Sequence, residues 1–142
     1  MPVDVEEVYE LIIEEWNNLT FHKKDSKDGI VRFDAMAGLT GIDDDVCISV
    51  QIGDQIMAVD FIFDYINATE EAYQLINKFN QENLCYKAYI RQDGFLVIDY
   101  HSPVVTLEQA AKEFTFAMVG LTDDSIMDTL IPLSKLTFSE GE

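Results

Sequence analysis

The sequence predicts an α+β fold: a two-layer sandwich in which helices cover one face of a five-stranded antiparallel sheet. Segments with helix and strand periods follow one another in the order α-β-β-β-α-β-β-α. Two of the turns between strands also have lengths that put the apolar sides of the joined strands on one face. With 142 residues, the chain is expected to form a single domain, 1–142.

The first helix is expected over residues 4–20. Asp4 and Glu7 have the spacing of an N-terminal capping arrangement, and a helical stripe follows them. The apolar stripe consists of Val5, Val8, Tyr9, Ile12, Trp16 and Leu19. Residues 22–28 hold three of the nine basic residues and are expected to form an exposed loop.

Three strands are expected next. Residues 29–37 alternate imperfectly, whereas residues 46–52 alternate cleanly between apolar and polar side chains, as a half-buried strand does. Gly53-Asp54 fits a tight turn into a strand over residues 56–64. A loop of even length puts two apolar sets on one face, namely Val46, Ile48, Val50 and Ile52 with Met57, Val59, Phe61 and Phe63.

The last two strands are expected to be joined by the three-residue loop Gln92-Asp93-Gly94. Such loops favour a left-handed glycine at their end, where Gly94 stands. This loop sorts the side chains, whereas a two-residue loop would mix charged and aliphatic residues on both faces. One face then pairs Tyr86, Ala88 and Ile90 with Leu96, Ile98 and Tyr100. The other pairs Lys87, Tyr89 and Arg91 with Phe95, Val97 and Asp99, so that Lys87 lies opposite Asp99.

The remaining helices are indicated by capping residues and apolar stripes. A second helix is expected to begin near Asn67, with Glu70 as its capping partner, and Thr106 with Gln109 opens a third. Their stripes are Ala72, Leu75, Ile76 and Phe79, and then Leu107, Ala110, Phe114, Ala117, Met118 and Leu121. Gly120 and the polar residues after it indicate a break, and Pro132 is expected to kink or shorten a last helix over residues 125–136.

Four short motifs carry a resemblance to a known family. They are Ile76-Asn77-Lys78-Phe79-Asn80, Lys87-Ala88-Tyr89-Ile90, Asp93-Gly94-Phe95-Leu96-Val97 and Thr106-Leu107-Glu108. The chain thereby resembles the YbjN family, the bacterial sensory transduction regulators. The fold of that family is similar to that of class I type III secretion chaperones, which are small, acidic, usually dimeric proteins that hold a partner's unfolded segment. The resemblance implies this architecture and a binding or regulatory role, and it implies no catalytic residues.

The charge balance is extreme, with 27 acidic and 9 basic residues and a formal net charge of −18. Such a field repels nucleic acid and anionic membranes, and it favours a basic or partly unfolded partner. Two other interpretations are an acidic surface that only prevents aggregation, and a decoy that imitates nucleic acid. No stretch approaches the ~20 apolar residues of a membrane helix, and no secretory signal opens the chain, so a cytoplasmic protein is expected.

The sequence predicts no catalytic residue, no cofactor and no dedicated metal ligand, because no established motif of these kinds occurs. His22 lies in a charged segment. His101, beside Asp99, fits either a general base or an ordinary surface histidine. Asp43-Asp44-Asp45 fits either a cation-collecting loop or a solvated one, since it lacks the spacing of an EF-hand. The isolated Cys47 and Cys85 indicate reduced thiols.

Tyr73, Asn77 and Asn80 flank the second helix, either to bind an extended backbone or to tie the helix to the next strand. The outward face of the Asp-Gly hairpin groups aromatic side chains, which indicates an interface unless a C-terminal helix covers it. The sequence therefore predicts a non-enzymatic interaction module, chaperone-like or regulatory, that binds another polypeptide and forms a homodimer. The predicted binding residues are Tyr89, Phe95 and Val97, with Lys87 and Arg91 around them. The alternative function is a small-ligand or cation sensor at residues 43–45.

Overall fold

The computed structural model describes residues 4–24, 29–53 and 55–139, and within these ranges it shows four helices and seven antiparallel strands. The helices are α1 (Val5–Glu15), α2 (Glu70–Glu82), α3 (Leu107–Gly120) and α4 (Asp124–Ser134). The strands are β1 (His22–Lys23), β2 (Val31–Ala37), β3 (Val46–Ile52), β4 (Ile56–Ile66), β5 (Tyr86–Ile90), β6 (Phe95–Pro103) and β7 (Thr137–Phe138). The α+β class is confirmed, and the expected five strands are corrected to seven.

The strands lie in the order β1-β2-β3-β4-β6-β5, and β7 pairs with the end of β4. The two additional strands are only two residues long. β1 forms where an exposed loop was expected, and residues 25–28 of that loop lie outside the described residues. Because β4 and β5 are both antiparallel to β6, they run parallel to each other, and α2 makes the crossover between them.

The predicted register of the Asp-Gly hairpin and the predicted even loop length of the preceding hairpin are confirmed. In the Asp-Gly hairpin, Lys87 pairs with Asp99, and the N–H of Arg91 donates to the carbonyl of Phe95 at 2.8 Å. Gly94 has a φ of 94°, in the left-handed region. In the preceding hairpin Ile52 pairs with Met57, so the number of residues in the loop is even, as predicted. Asp54 of that turn lies outside the described residues.

Two helix ends differ from the predicted ones. α1 ends at Glu15 rather than near residue 20. Asn17 and Asn18, which are poor helix formers, follow shortly after this end. α2 begins at Glu70 because the Thr69 hydroxyl accepts the N–H of Ala72 at 3.1 Å and so caps the helix in place of Asn67. The expected break after Gly120 is confirmed, and Asp123 caps α4.

The core lies between the helices and one face of the sheet. All four helices place buried side chains in it, and α4 packs beside α2 on that side. The largest fully buried residues include Phe33, Phe61, Phe79 and Phe114. In the described part of the chain no helix lies on the opposite face, so the C-terminal helix does not cover it. None of the described helices is long and apolar enough to span a membrane.

Candidate functional site

The side of the sheet away from the helices, called the open face below, is built by the strand residues that alternate with core positions. Strand pairing arranges their side chains in rows across the sheet. One row is apolar and consists of Met36, Cys47, Ile62, Val97 and Tyr89. The next row is mostly acidic and consists of Asp34, Ser49, Asp60, Asp99 and Lys87. An apolar band therefore lies directly beside an acidic one.

Three aromatic rings extend the apolar row at one end of the sheet. A register shift in β4 between Ile62 and Tyr65 brings Tyr65 opposite Phe95. The two rings stack with centroids 4.2 Å apart, and the ring of Phe138 on β7 lies 6.0 Å from that of Tyr65. On Phe95, the guanidinium carbon of Arg91 lies 5.3 Å from the ring centroid. We call Tyr65, Phe95 and Phe138 the aromatic group.

A groove of about 380 Å³ runs between the apolar row and the aromatic group. Apolar side chains make up most of its lining, and three charged ones stand among them: the groove is lined by Met36, Cys47, Ile62, Phe63 and Phe95, with Asp45, Asp64 and Arg91. Met36 is 56% exposed, so a large apolar side chain of the groove reaches solvent. The groove gives the open face a concave apolar surface that reaches solvent.

The five predicted binding residues differ in how much they offer to a partner. Their cross-strand pairings are as predicted. Tyr89 is 38% exposed and Phe95 is half-buried. Val97 is only 1% exposed, because it lies between Ile62 and Tyr89 in the middle of the apolar row. Val97 thus supports its neighbours within the chain, and its contact with a partner stays a prediction.

Lys87 and Arg91 both have contacts within the chain. The ammonium of Lys87 donates to the carbonyls of Asn80 at 3.0 Å and Asn83 at 3.1 Å, where α2 ends. The guanidinium of Arg91 donates to both carboxylate oxygens of Asp93, at 2.9 and 2.7 Å, and these bonds hold the pKa of Asp93 below its usual value. These positive charges are therefore already engaged by acceptors of the chain itself.

A cluster of three ionisable groups, Asp60, Asp99 and His101, lies in the middle of the open face; we call it the Asp60 cluster. Asp60 and Asp99 are directly paired across β4 and β6, and His101 follows two residues later on the same face. The Nε2 of His101 lies 3.3 Å from Asp99 Oδ1. Burial raises the pKa of Asp60, and the negative charge of Asp99 raises it further. His101, for which the sequence left two interpretations open, contacts Asp99, and no sequence pattern singled out Asp60 as the third member of the cluster.

The acidic loop at residues 43–45 lines a small cavity of about 130 Å³ together with Asp64 and Lys135. Its carboxylates do not converge as metal ligands do. Among the described residues, the Asp60 cluster is the group of three or more such side chains whose ligand atoms come together. A cation sensor at residues 43–45 stays a prediction, and the carboxylates of this loop do not form a converging ligand set.

Asn80 ties α2 to the next strand, which was one of the two roles that the sequence allowed for it. Its amide exchanges two hydrogen bonds with the backbone of Ala88 and so ties α2 to β5. Tyr73 and Asn77 are exposed on the surface of α2, and His22 is exposed on β1.

Comparisons with family models, with curated proteins and with solved structures find no match to this chain. The resemblance to the YbjN family therefore stays a prediction, supported by the motifs at residues 76–80, 87–90, 93–97 and 106–108.

Proposed function

We propose that this chain is a non-enzymatic protein-interaction module that binds a segment of another polypeptide on its open face. The observation that carries the proposal is the groove beside Met36 and Phe95, on a sheet face that the described helices leave uncovered. Soluble domains rarely expose a contiguous apolar surface without a partner for it. Tyr89, at the end of the apolar row, belongs to the residue type that most often anchors such interfaces.

The charges of the open face favour a partner segment that combines basic and apolar side chains. The acidic row contributes Asp60 and Asp99, and its third carboxylate, Asp34, pairs with Lys24 at 3.5 Å. The positive charge of Arg91 is neutralised by Asp93. The net charge of −18 adds a long-range field of the same sign. Complementary charge steers association and discriminates against acidic partners.

A second copy of the chain fits this surface less well. Each copy carries −18, so self-association through the open face would bring two strongly negative surfaces together. We therefore favour a basic partner over a second copy of the chain as the molecule that binds the open face. A chaperone-like role and a cytoplasmic location remain predictions from the sequence.

Site-specific photo-crosslinking tests the proposal. A photoreactive phenylalanine analogue is placed at Tyr89 or Met36 on the open face, and at Leu84 or Phe116 as exposed controls elsewhere. In the native cell, the two open-face positions should capture the same polypeptide through a segment rich in Lys or Arg and apolar residues. That segment, as a synthetic peptide, should bind the purified chain, and Met36→Ser and Tyr89→Ser should each weaken its binding about tenfold, the effect of losing roughly 1.4 kcal/mol. Phe116→Ser should leave the affinity unchanged.

Other outcomes overturn the proposal. Adducts from Phe116 or Leu84 alone would move the interface off the open face. Adducts with twice the mass of the chain would make the partner a second copy. A captured peptide whose affinity ignores both open-face substitutions would also contradict the proposed binding mode.

A further inference from the structure

The Asp60 cluster has the geometry of a metal site that needs only a small contraction. Its three ligand atoms, one each from Asp60, Asp99 and His101, all lie within 4.8 Å of one another. Tetrahedral zinc with bonds of about 2.0–2.1 Å holds its ligand atoms about 3.3 Å apart. His101 Nε2 and Asp99 Oδ1 are already separated by 3.3 Å. A rotation of the Asp60 carboxylate toward this pair completes a three-ligand set.

The half-buried carboxylate of Asp60 lacks the contacts that a buried oxygen normally has. Its Oδ1 is buried and has no hydrogen-bond partner among the described residues, whereas buried acceptors are almost always bonded. Asp99 lies directly opposite on the neighbouring strand, and like charges in such a pair destabilise a sheet. A cation between the two carboxylates removes both unfavourable features at once.

The positively charged side chains near the cluster bind acceptors other than Asp60 and Asp99. Arg91 is held by both oxygens of Asp93, and Lys87, on the far side of Asp99, donates to the carbonyls at the end of α2. His101, whose side chain is 54% exposed, pairs with Asp99. Among the described residues, neither Lys87 nor Arg91 therefore forms an ion pair with Asp60 or Asp99.

We propose that Asp60, Asp99 and His101 bind one divalent transition-metal ion, with Zn²⁺ the best fit, in the middle of the open face. Zinc binds both imidazole nitrogen and carboxylate oxygen, whereas Mg²⁺ and Ca²⁺ prefer oxygen ligands alone. The ligands stand on two hydrogen-bonded strands, so the backbone ladder of β4 and β6 preorganises them. Three protein ligands leave one coordination position toward solvent.

Metal titration of the purified full chain tests the site. After treatment with a chelator, the protein is titrated with ZnCl₂ by calorimetry in the presence of excess Mg²⁺, which occupies diffuse acidic sites. One Zn²⁺ should bind per chain. Asp60→Asn and His101→Ala should each weaken its Kd by at least about 10–100-fold, the range that even outer-shell changes reach. Co²⁺ should give visible d–d absorption bands in the wild type that both variants lose.

Two matched controls separate the site from the general acidity of the chain. Asp34→Asn removes a carboxylate from the same row, and His22→Ala removes an exposed histidine from β1; both lie outside the cluster. Both should bind Zn²⁺ as the wild type does. The proposal is overturned if all four variants bind Zn²⁺ equally, or if the wild type shows no site that outcompetes Mg²⁺. Because no partner is added, failure here is distinguishable from failure of the proposed protein-binding function.

Discussion

The side-chain amide of Asn80 forms two hydrogen bonds with the backbone of Ala88. Its Oδ1 accepts the N–H of Ala88 at 2.6 Å, and its Nδ2 donates to the carbonyl of Ala88 at 3.1 Å. Ala88 lies in β5, the strand at the edge of the sheet. One residue of α2 therefore satisfies both backbone groups that Ala88 presents to that edge, and it blocks the addition of another strand there.

Replacing Asn80 with alanine should lower the free energy of unfolding by about 1–2 kcal/mol, because it leaves two partly buried backbone groups without partners. Urea denaturation measures this loss. Asn77→Ala, on the exposed surface of the same helix, is the matched control and should stay within about 0.5 kcal/mol of the wild type. Equal losses in the two variants would show that the Asn80 contacts do not stabilise the edge strand.

Gly94→Ala should destabilise the Asp-Gly hairpin through the backbone alone. With φ at 94°, a side chain is strained at this position, although a Cβ there would meet Tyr65 only at an ordinary 3.5 Å. The expected loss is about 1–2 kcal/mol in a denaturant titration. Gly38→Ala, at a glycine outside the left-handed region, is the control and should be neutral or slightly stabilising. If Gly94→Ala behaves like this control, the three-residue loop has a different conformation.

Tyr86 and Gly120 should show strong coupling in a double-mutant cycle. The hydroxyl of Tyr86 donates to the carbonyls of Ala117 at 2.8 Å and Phe116 at 3.2 Å, and a Cβ at position 120 would lie only 2.6 Å from it. Tyr86→Phe alone should cost about 1 kcal/mol. Gly120→Ala should cost clearly less in the Tyr86→Phe background than in the wild type, because the clashing oxygen is gone and the ring carbon behind it lies 3.7 Å away. Strictly additive losses would mean that the hydroxyl does not contact the end of α3.

Alkaline pH should destabilise the protein through its buried tyrosines. Burial raises the pKa of Tyr86 and of Tyr100 above the ordinary value of 10.0, and the Glu113 carboxylate that accepts the Tyr100 hydroxyl raises that of Tyr100 further. The folded state thus favours the neutral phenols, so their contribution to stability is complete below pH 10 and is lost as the pH rises above it. Denaturant titrations below and above pH 10 should show this loss, and Tyr86→Phe should reduce its slope.

The control for this pH dependence is Tyr73→Phe, at an exposed position of α2. It should leave the slope at the wild-type value. A slope that Tyr86→Phe does not reduce would show that Tyr86 ionises as readily in the folded chain as in the unfolded one.

Local chemistry was sufficient to predict the five long strands and which faces meet in the two hairpins with short loops. The Gln92-Asp93-Gly94 loop sets the parity of its hairpin, and a loop one residue longer or shorter would have put Tyr89 and Val97 on opposite faces of the sheet. β1 and β7 were missed because two residues carry no measurable period. The extent of α2 was misjudged by three residues because Thr69, rather than Asn67, satisfies the first free N–H groups.

The properties of the open face depend on contacts between distant segments, so they could not be predicted from sequence. The burial of Val97 comes from Ile62 and Tyr89 on the two neighbouring strands. The Asp60 cluster exists only because β4 and β6 pair in the one register that opposes Asp60 and Asp99. Patterns within either strand indicate an outward acidic residue and nothing about its partner.

Oxidation of the methionines by hydrogen peroxide tests most directly whether one face of the sheet is open. Met36, on the open-face side of β2, is 56% exposed, whereas Met57, on β4 and facing the helices, is 0% exposed. Because oxidation follows exposure, mass spectrometry of the purified protein should find the sulfoxide at Met36 long before it appears at Met57. Equal protection of Met36 and Met57 would show that the face is covered and would contradict the proposed binding surface.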